Sequence, residues 1–153
     1  MTVRLAASAI LITVVVGSCS NTDPVGDYSD SVRGITLTMR NESIAAISDG
    51  QPITRDGIIG VIAARQRALT ALQAVVPPPA IAAEHAALLR VLAEFSTVAE
   101  TFMESTADLD PAGFEQAVLA ATYLDTIVAR VGTACDAVVR RAFDLDVAVD
   151  LAC

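Results

Sequence analysis

His85 is the one histidine of this 153-residue chain, so any acid–base or metal chemistry that needs an imidazole must be built on it. Such a side chain can act as a ligand, a base or a pH-sensitive group. A di-iron site would need Glu-x-x-His motifs on facing helices. Here Glu84 and His85 are adjacent and project in different directions on a helix. His-Glu-x-x-His and Cys-x-x-Cys zinc spacings are missing, as are the Gly-x-Ser-x-Gly elbow, the P-loop and the dinucleotide fingerprint. A Ser-His-Asp triad would have to be assembled around His85 from the middle of a helix. The expectation is a packed histidine with one ring nitrogen hydrogen-bonded, in a chain with no cofactor, no metal and no catalytic residue.

Glu100, Glu104, Asp108, Asp110 and Glu115 are the remaining concentration of potential ligands. Calcium would want several of these oxygens, but EF-hand spacing is absent, so a solvated acidic turn accounts for them. Thr38, Ser96, Thr97, Thr122 and Thr126 fall near helix faces. They either line a ligand cavity or bond to the preceding turn, and the second needs no ligand. The formal net charge of −8, with arginine as the sole cation type besides histidine, argues against nucleic acid and against attraction to anionic headgroups.

The N-terminus carries the parts of an export signal over residues 1–18: Arg4, an apolar run from Leu5 to Val16, then Gly17 and Ser18. The run is about 12 residues, short of the roughly 20 that a spanning helix needs. Val16-Gly17-Ser18-Cys19 resembles the lipobox of bacterial lipoproteins, in which the cysteine thiol receives a diacylglyceryl group and becomes the first residue after cleavage. That resemblance implies lipidation of Cys19 and a membrane anchor strengthened by about 0.8 kcal/mol per buried methylene. With Cys19 assigned to lipid, Cys135 and Cys153 remain as a pair in an oxidising compartment. Closing that loop would stabilise the fold by roughly 3 kcal/mol in the chain-entropy picture.

Residues 19–26, rich in Ser, Asn, Asp, Pro and Gly, read as a short tether, and residues 27–153 as one domain of adequate size for a core. A first helix is expected from Asp27 or Ser29 to about Ser48, with Val32, Ile35, Met39 and Ala46 on its apolar face. Thr54 caps a second helix with Ile58, Ile62, Leu69, Leu72 and Val76 as its stripe. Arg65 interrupts that stripe, its stem buried and its guanidinium in water, or else paired with an interior carboxylate. Pro77-Pro78-Pro79 makes a stiff corner. Ile81, His85, Leu88, Leu92, Phe95, Ala99 and Phe102 mark the third helix at alternating steps of four and three. Asp110-Pro111 starts a fourth, carrying Phe114, Val118, Ala121, Leu124, Val128, Val131, Cys135 and Val138 to about Ala142, with Gly132-Thr133 as a place to bend. Leu145, Val147, Val149 and Leu151 then fold back to bring Cys153 to Cys135.

These elements predict an all-α, up-down-up-down antiparallel four-helix bundle whose C-terminal segment is disulfide-tied to the last helix. Ala-rich faces and Gly57-Ile58-Ile59-Gly60 favour close helix approach. The lipobox, the lack of lysine, Ala80-Ile81-Ala82-Ala83-Glu84-His85 after the prolines and the ending Val149-Asp150-Leu151-Ala152-Cys153 together resemble small envelope lipoproteins of high-GC Gram-positive, mycobacterial-type bacteria. The resemblance implies a location on the outer face of the cytoplasmic membrane and a helical fold. The functional expectation is a non-enzymatic binding or interaction module with an envelope protein as partner. A carrier or sensor of a small apolar ligand held between helices is the alternative.

Overall fold

The computed structural model describes residues 23–47, 52–147 and 151. Residues 1–18 (expected to be an export signal), Cys19, Val149 and Cys153 lie outside the described residues. Five α-helices make up the described chain: α1 Pro24–Ala46, α2 Arg55–Gln73, α3 Ala82–Ser105, α4 Pro111–Ala120 and α5 Thr122–Phe143. The fold is all-helical, with no strand among the described residues.

Helix α1 starts earlier than expected. Asp23 accepts backbone N–H bonds from Val25 at 3.2 Å and Gly26 at 3.0 Å, and Pro24 takes the first helical position. Three residues assigned to the tether therefore belong to the helix. Its buried face is Tyr28, Ser29, Val32, Thr36 and Met39, while Ile44 and Ile47 stay exposed. Helix α2 has the expected cap, the Thr54 hydroxyl accepting from the Gly57 N–H at 3.1 Å. It ends at Gln73, so Val76 lies beyond it and is exposed. Gly57, Ala64 and Ala68 are buried, and Gly60 approaches α1 so closely that a Cβ there would stand 2.6 Å from that of Ala46. The small-residue stretch does bring two helices together.

Helix α3 matches its pattern residue for residue: Ile81, at the cap, and His85, Leu88, Leu92, Phe95, Ala99 and Phe102 are all buried. Burying each of the two leucines contributes about 1.5–3 kcal/mol relative to leaving it in water. The proline corner is pinned by the Ile81 N–H donating to the Pro78 carbonyl at 2.9 Å. Arg141 Nε, from the end of α5, donates to the Ala80 carbonyl at 2.8 Å.

The expected fourth helix is two. Ala121 leaves the helical region (φ −83°, ψ 65°), and α4 and α5 meet at a bend of 56°. Gly132 is passed without a break. The bend resets the helical phase: Ile127, Val131, Ala134, Cys135, Val138 and Ala142 face inward on α5, and Val128 turns out. No single described helix is long and apolar enough to cross a membrane; the bent α4–α5 pair passes that test by length and composition alone.

After α5 the chain closes a left-handed cap. Val147 N–H donates to the Ala142 carbonyl and Asp146 N–H to the Phe143 carbonyl, both at 3.0 Å, with Asp146 at φ 61°. Leu145, Val147 and Leu151 then pack on the main core, as the alternating tail predicts.

α1 packs on α2, α2 on α3 and α3 on α5. The apolar interior is in two clusters. The larger runs from Tyr28 and Val32 through Leu72, Leu88 and Leu92 to Val138 and Ala142. The smaller gathers Phe102, Phe114 and Ala121 with Ile53, Ile58, Val118 and Leu124. The α4–α5 bend lets Phe114 serve one cluster and Val131 the other.

Candidate functional site

His85 occupies the interior of the larger cluster. Its Nδ1 lies 2.9 Å from the Tyr28 hydroxyl, and the two rings meet edge-on with centroids 5.6 Å apart. Burial lowers the imidazole pKa below its ordinary value, and a backbone hydrogen bond with Leu72 acts in the opposite direction. Only an acceptor favours the protonated ring, so the Leu72 carbonyl takes the ring N–H and Nδ1 accepts from Tyr28. Burial, helped by the negative charge of Glu84, pushes the Tyr28 phenol up to about 12. His85 therefore ties α1, the end of α2 and α3 as a neutral, satisfied ring. That is the packed histidine the sequence predicts, with a second partner it does not reveal.

Arg65 is the opposite case. Its Nε and Nη1 are buried with no hydrogen-bond partner, and its guanidinium carbon lies 4.2 Å above the centre of the Phe95 ring. Burial lowers its pKa from the ordinary value. The sequence expectation holds in part: Arg65 is half-buried and its Nη2 is not among the buried atoms, but Nε and Nη1 are shut away from water, and among the described residues no carboxylate pairs with it. Beside the bend at Ala121, a cavity of about 260 Å³ lies where residues of the two apolar clusters meet. Ile58 and Ile62 of α2, Phe95 and Phe102 of α3, and Leu124 of α5 line it, with Arg65 in its wall and Asp125 also lining it.

Two other hollows also contain an arginine. A groove of about 440 Å³ between α1 and α2 includes Arg67, which bonds Glu42 at 2.8 Å. A hollow of about 410 Å³ beside the start of α4 includes Arg55, which donates to the Thr106 carbonyl and stacks 4.4 Å above the Phe114 ring. Both cations are already partnered. Arg65 alone of the three lacks a counter-group.

The acidic residues do not converge. Asp110 is spent capping α4, accepting from the Gly113 N–H at 2.7 Å, and Glu100 accepts from Gln66 at 3.2 Å. Among the described residues no group of three or more His, Cys, Asp or Glu is placed to hold a metal ion. The hydroxyls of Thr38, Ser96, Thr97 and Thr126 each bond a carbonyl one turn back, which needs no ligand, although Thr38 also lines the α1–α2 groove. Cys135 is buried at 3% exposure on the inner face of α5. Tyr28 and Phe95 were missed as functional partners. Tyr28 lies four residues before Val32 on the same face, and Phe95 is the aromatic of the α3 stripe; α2 against α3 brings it to Arg65.

Fold and site together define a class: an all-helical protein with a charged side chain set against an apolar cavity between helices. No protein-family model, no curated protein and no solved structure matches this chain.

Proposed function

We propose that the protein is a membrane-anchored carrier or sensor that holds a small apolar ligand between its helices. The cavity of about 260 Å³ at the junction of the two clusters carries this reading. Pockets of this kind, apolar with few polar groups, are the usual form of a small-molecule site. The remaining features of the reading are an export signal over residues 1–18, lipidation of Cys19, residence on the outer face of the cytoplasmic membrane, and a bundle of four helical units whose last is split at Ala121. With α1 starting at Pro24, the tether of residues 19–26 shortens to 19–23, whose four residues beyond Cys19 could span at most about 14 Å. The cavity lies about 15–25 Å along α3 from His85, towards the end of α1 remote from the anchor. A pairing of Cys135 with Cys153 is supported by the burial of Cys135 and by Leu151, two residues short of the C-terminus, packing on the core that includes Cys135.

Native mass spectrometry of the protein extracted from its own membranes should find it carrying a small lipid-like adduct. Repeated recovery of the bare chain overturns the reading. A second reading, docking to an envelope protein, draws on Leu119 and Tyr123, which flank the α4–α5 break and are 70% and 50% exposed. Crosslinking in intact cells through these two positions should then capture one recurring partner.

A further inference from the structure

Resting on that reading of the cavity, we infer that its ligand is a single-chain amphiphile with an anionic head group, carboxylate or phosphate, which Arg65 binds. A guanidinium does not lose its proton in proteins, so burial leaves Arg65 charged. A buried charge is costly unless a counter-charge or hydrogen-bond acceptors meet it. The Phe95 ring at 4.2 Å offers its π-face, which attracts the cation but accepts nothing from the in-plane N–H groups. Nε and Nη1 remain without acceptors inside the wall, and Nη2, the guanidinium nitrogen that is not buried, is the one that can meet a head group. An anionic head group supplies acceptors and charge together, and charge-assisted bonds of this kind are the strong ones.

The rest of the cavity fits a hydrocarbon tail. Its walls are Ile58, Ile62, Phe95, Phe102 and Leu124. A volume of about 260 Å³ is at the small end for a ligand pocket, which favours one short apolar chain over two. Asp125 lines the cavity as an exposed residue and forms no salt bridge to Arg65. Its carboxylate repels an anionic head group, so the net preference for anions has to come from Arg65.

The test is calorimetric titration of the full chain at about pH 8 with decanoate, decyl phosphate and the neutral 1-decanol. The expected result is that at least one anion binds about tenfold or more tighter than decanol, the scale of a charged hydrogen bond. Whichever anion binds tighter identifies the head group. Arg65→Met should abolish the preference while decanol binding stays, Arg65→Lys should retain part of it, and Asp125→Asn should strengthen it. If decanol binds wild-type protein as tightly as the anions, the inference about Arg65 is overturned and the cavity reading survives. If none of the three binds, both fall. Circular dichroism of each variant separates a lost site from a lost fold.

Discussion

His85 and Arg65 are both polar residues set into apolar stripes of neighbouring helices, and they have opposite surroundings. His85 has a hydroxyl at 2.9 Å on one nitrogen and the Leu72 carbonyl on the other. Arg65 has two buried nitrogens with nothing to donate to. A polar group whose partners are complete holds a structure together, whereas one with partners missing marks where something else must come. The contrast follows the packing. Around His85, α1, α2 and α3 meet at the proline corner, with Arg141 closing it from α5. Around Arg65, next to the bend between α4 and α5, a cavity separates parts of the two clusters.

The largest expected effect tests the first half of that contrast. His85→Ala removes a fully packed ring and leaves the Tyr28 hydroxyl without its acceptor. Cavity and orphaned hydroxyl together should lower stability by about 2–4 kcal/mol. Tyr28→Phe keeps the ring volume and loses only the bond, for about 1–2 kcal/mol. Urea denaturation measures both, and a His85→Ala loss below about 1 kcal/mol would sink the view that this ring ties three helices.

Next in size is the reverse sign at the other site. Arg65→Met roughly keeps the side-chain length and removes two unsatisfied donors from the interior. In the absence of ligand this should raise stability by about 1–3 kcal/mol. Stability gained together with anion preference lost is the signature of a residue retained for binding. A variant less stable than wild type would instead show that the guanidinium is satisfied in solution, and the contrast with His85 would disappear.

Much of this was legible in the residues, for reasons that also explain the misses. The α3 stripe is legible because seven positions repeat the same steps, five of them with large apolar side chains, and all seven are buried. The Thr54 and Asp110 caps were equally plain, since a short acceptor before an apolar run has one good use. The break at Ala121 had no such mark. Neither Gly nor Pro stands at Ala120-Ala121-Thr122, and the bend answers to Phe114 and Val131 packing in different clusters, which is a tertiary demand. The cavity is lined from α2, α3, α4 and α5 together, so no single stretch of sequence announces it. For Arg65 the sequence showed an interruption of the stripe, but the fate of its charge depended on that gap.

The smallest effect concerns protons, and it separates the two sites by pH. Desolvation depresses the His85 pKa while the Leu72 carbonyl partly offsets it, so the net displacement is the remainder of two opposing influences. The unfolded ring protonates near 6.5 and the folded ring resists until lower pH. The stability that neutral His85 contributes is therefore whole above about 6.5 and is lost as the pH falls through its folded value. Tyr28 has the opposite sign: its contribution is whole below about 10 and is lost as the pH rises through about 12. Because the chain has one histidine, its ring resonances report the lower transition directly. An NMR titration of the full chain should place the midpoint below 6.5, and a midpoint at or above that value removes the buried neutral ring. Arg65 stays protonated throughout this range, so wild type and Arg65→Met should show parallel stability curves between about pH 7 and pH 5. Curves that diverge there would mean that the two sites are coupled through α2, and the division between a structural histidine and a ligand-seeking arginine would have to be redrawn.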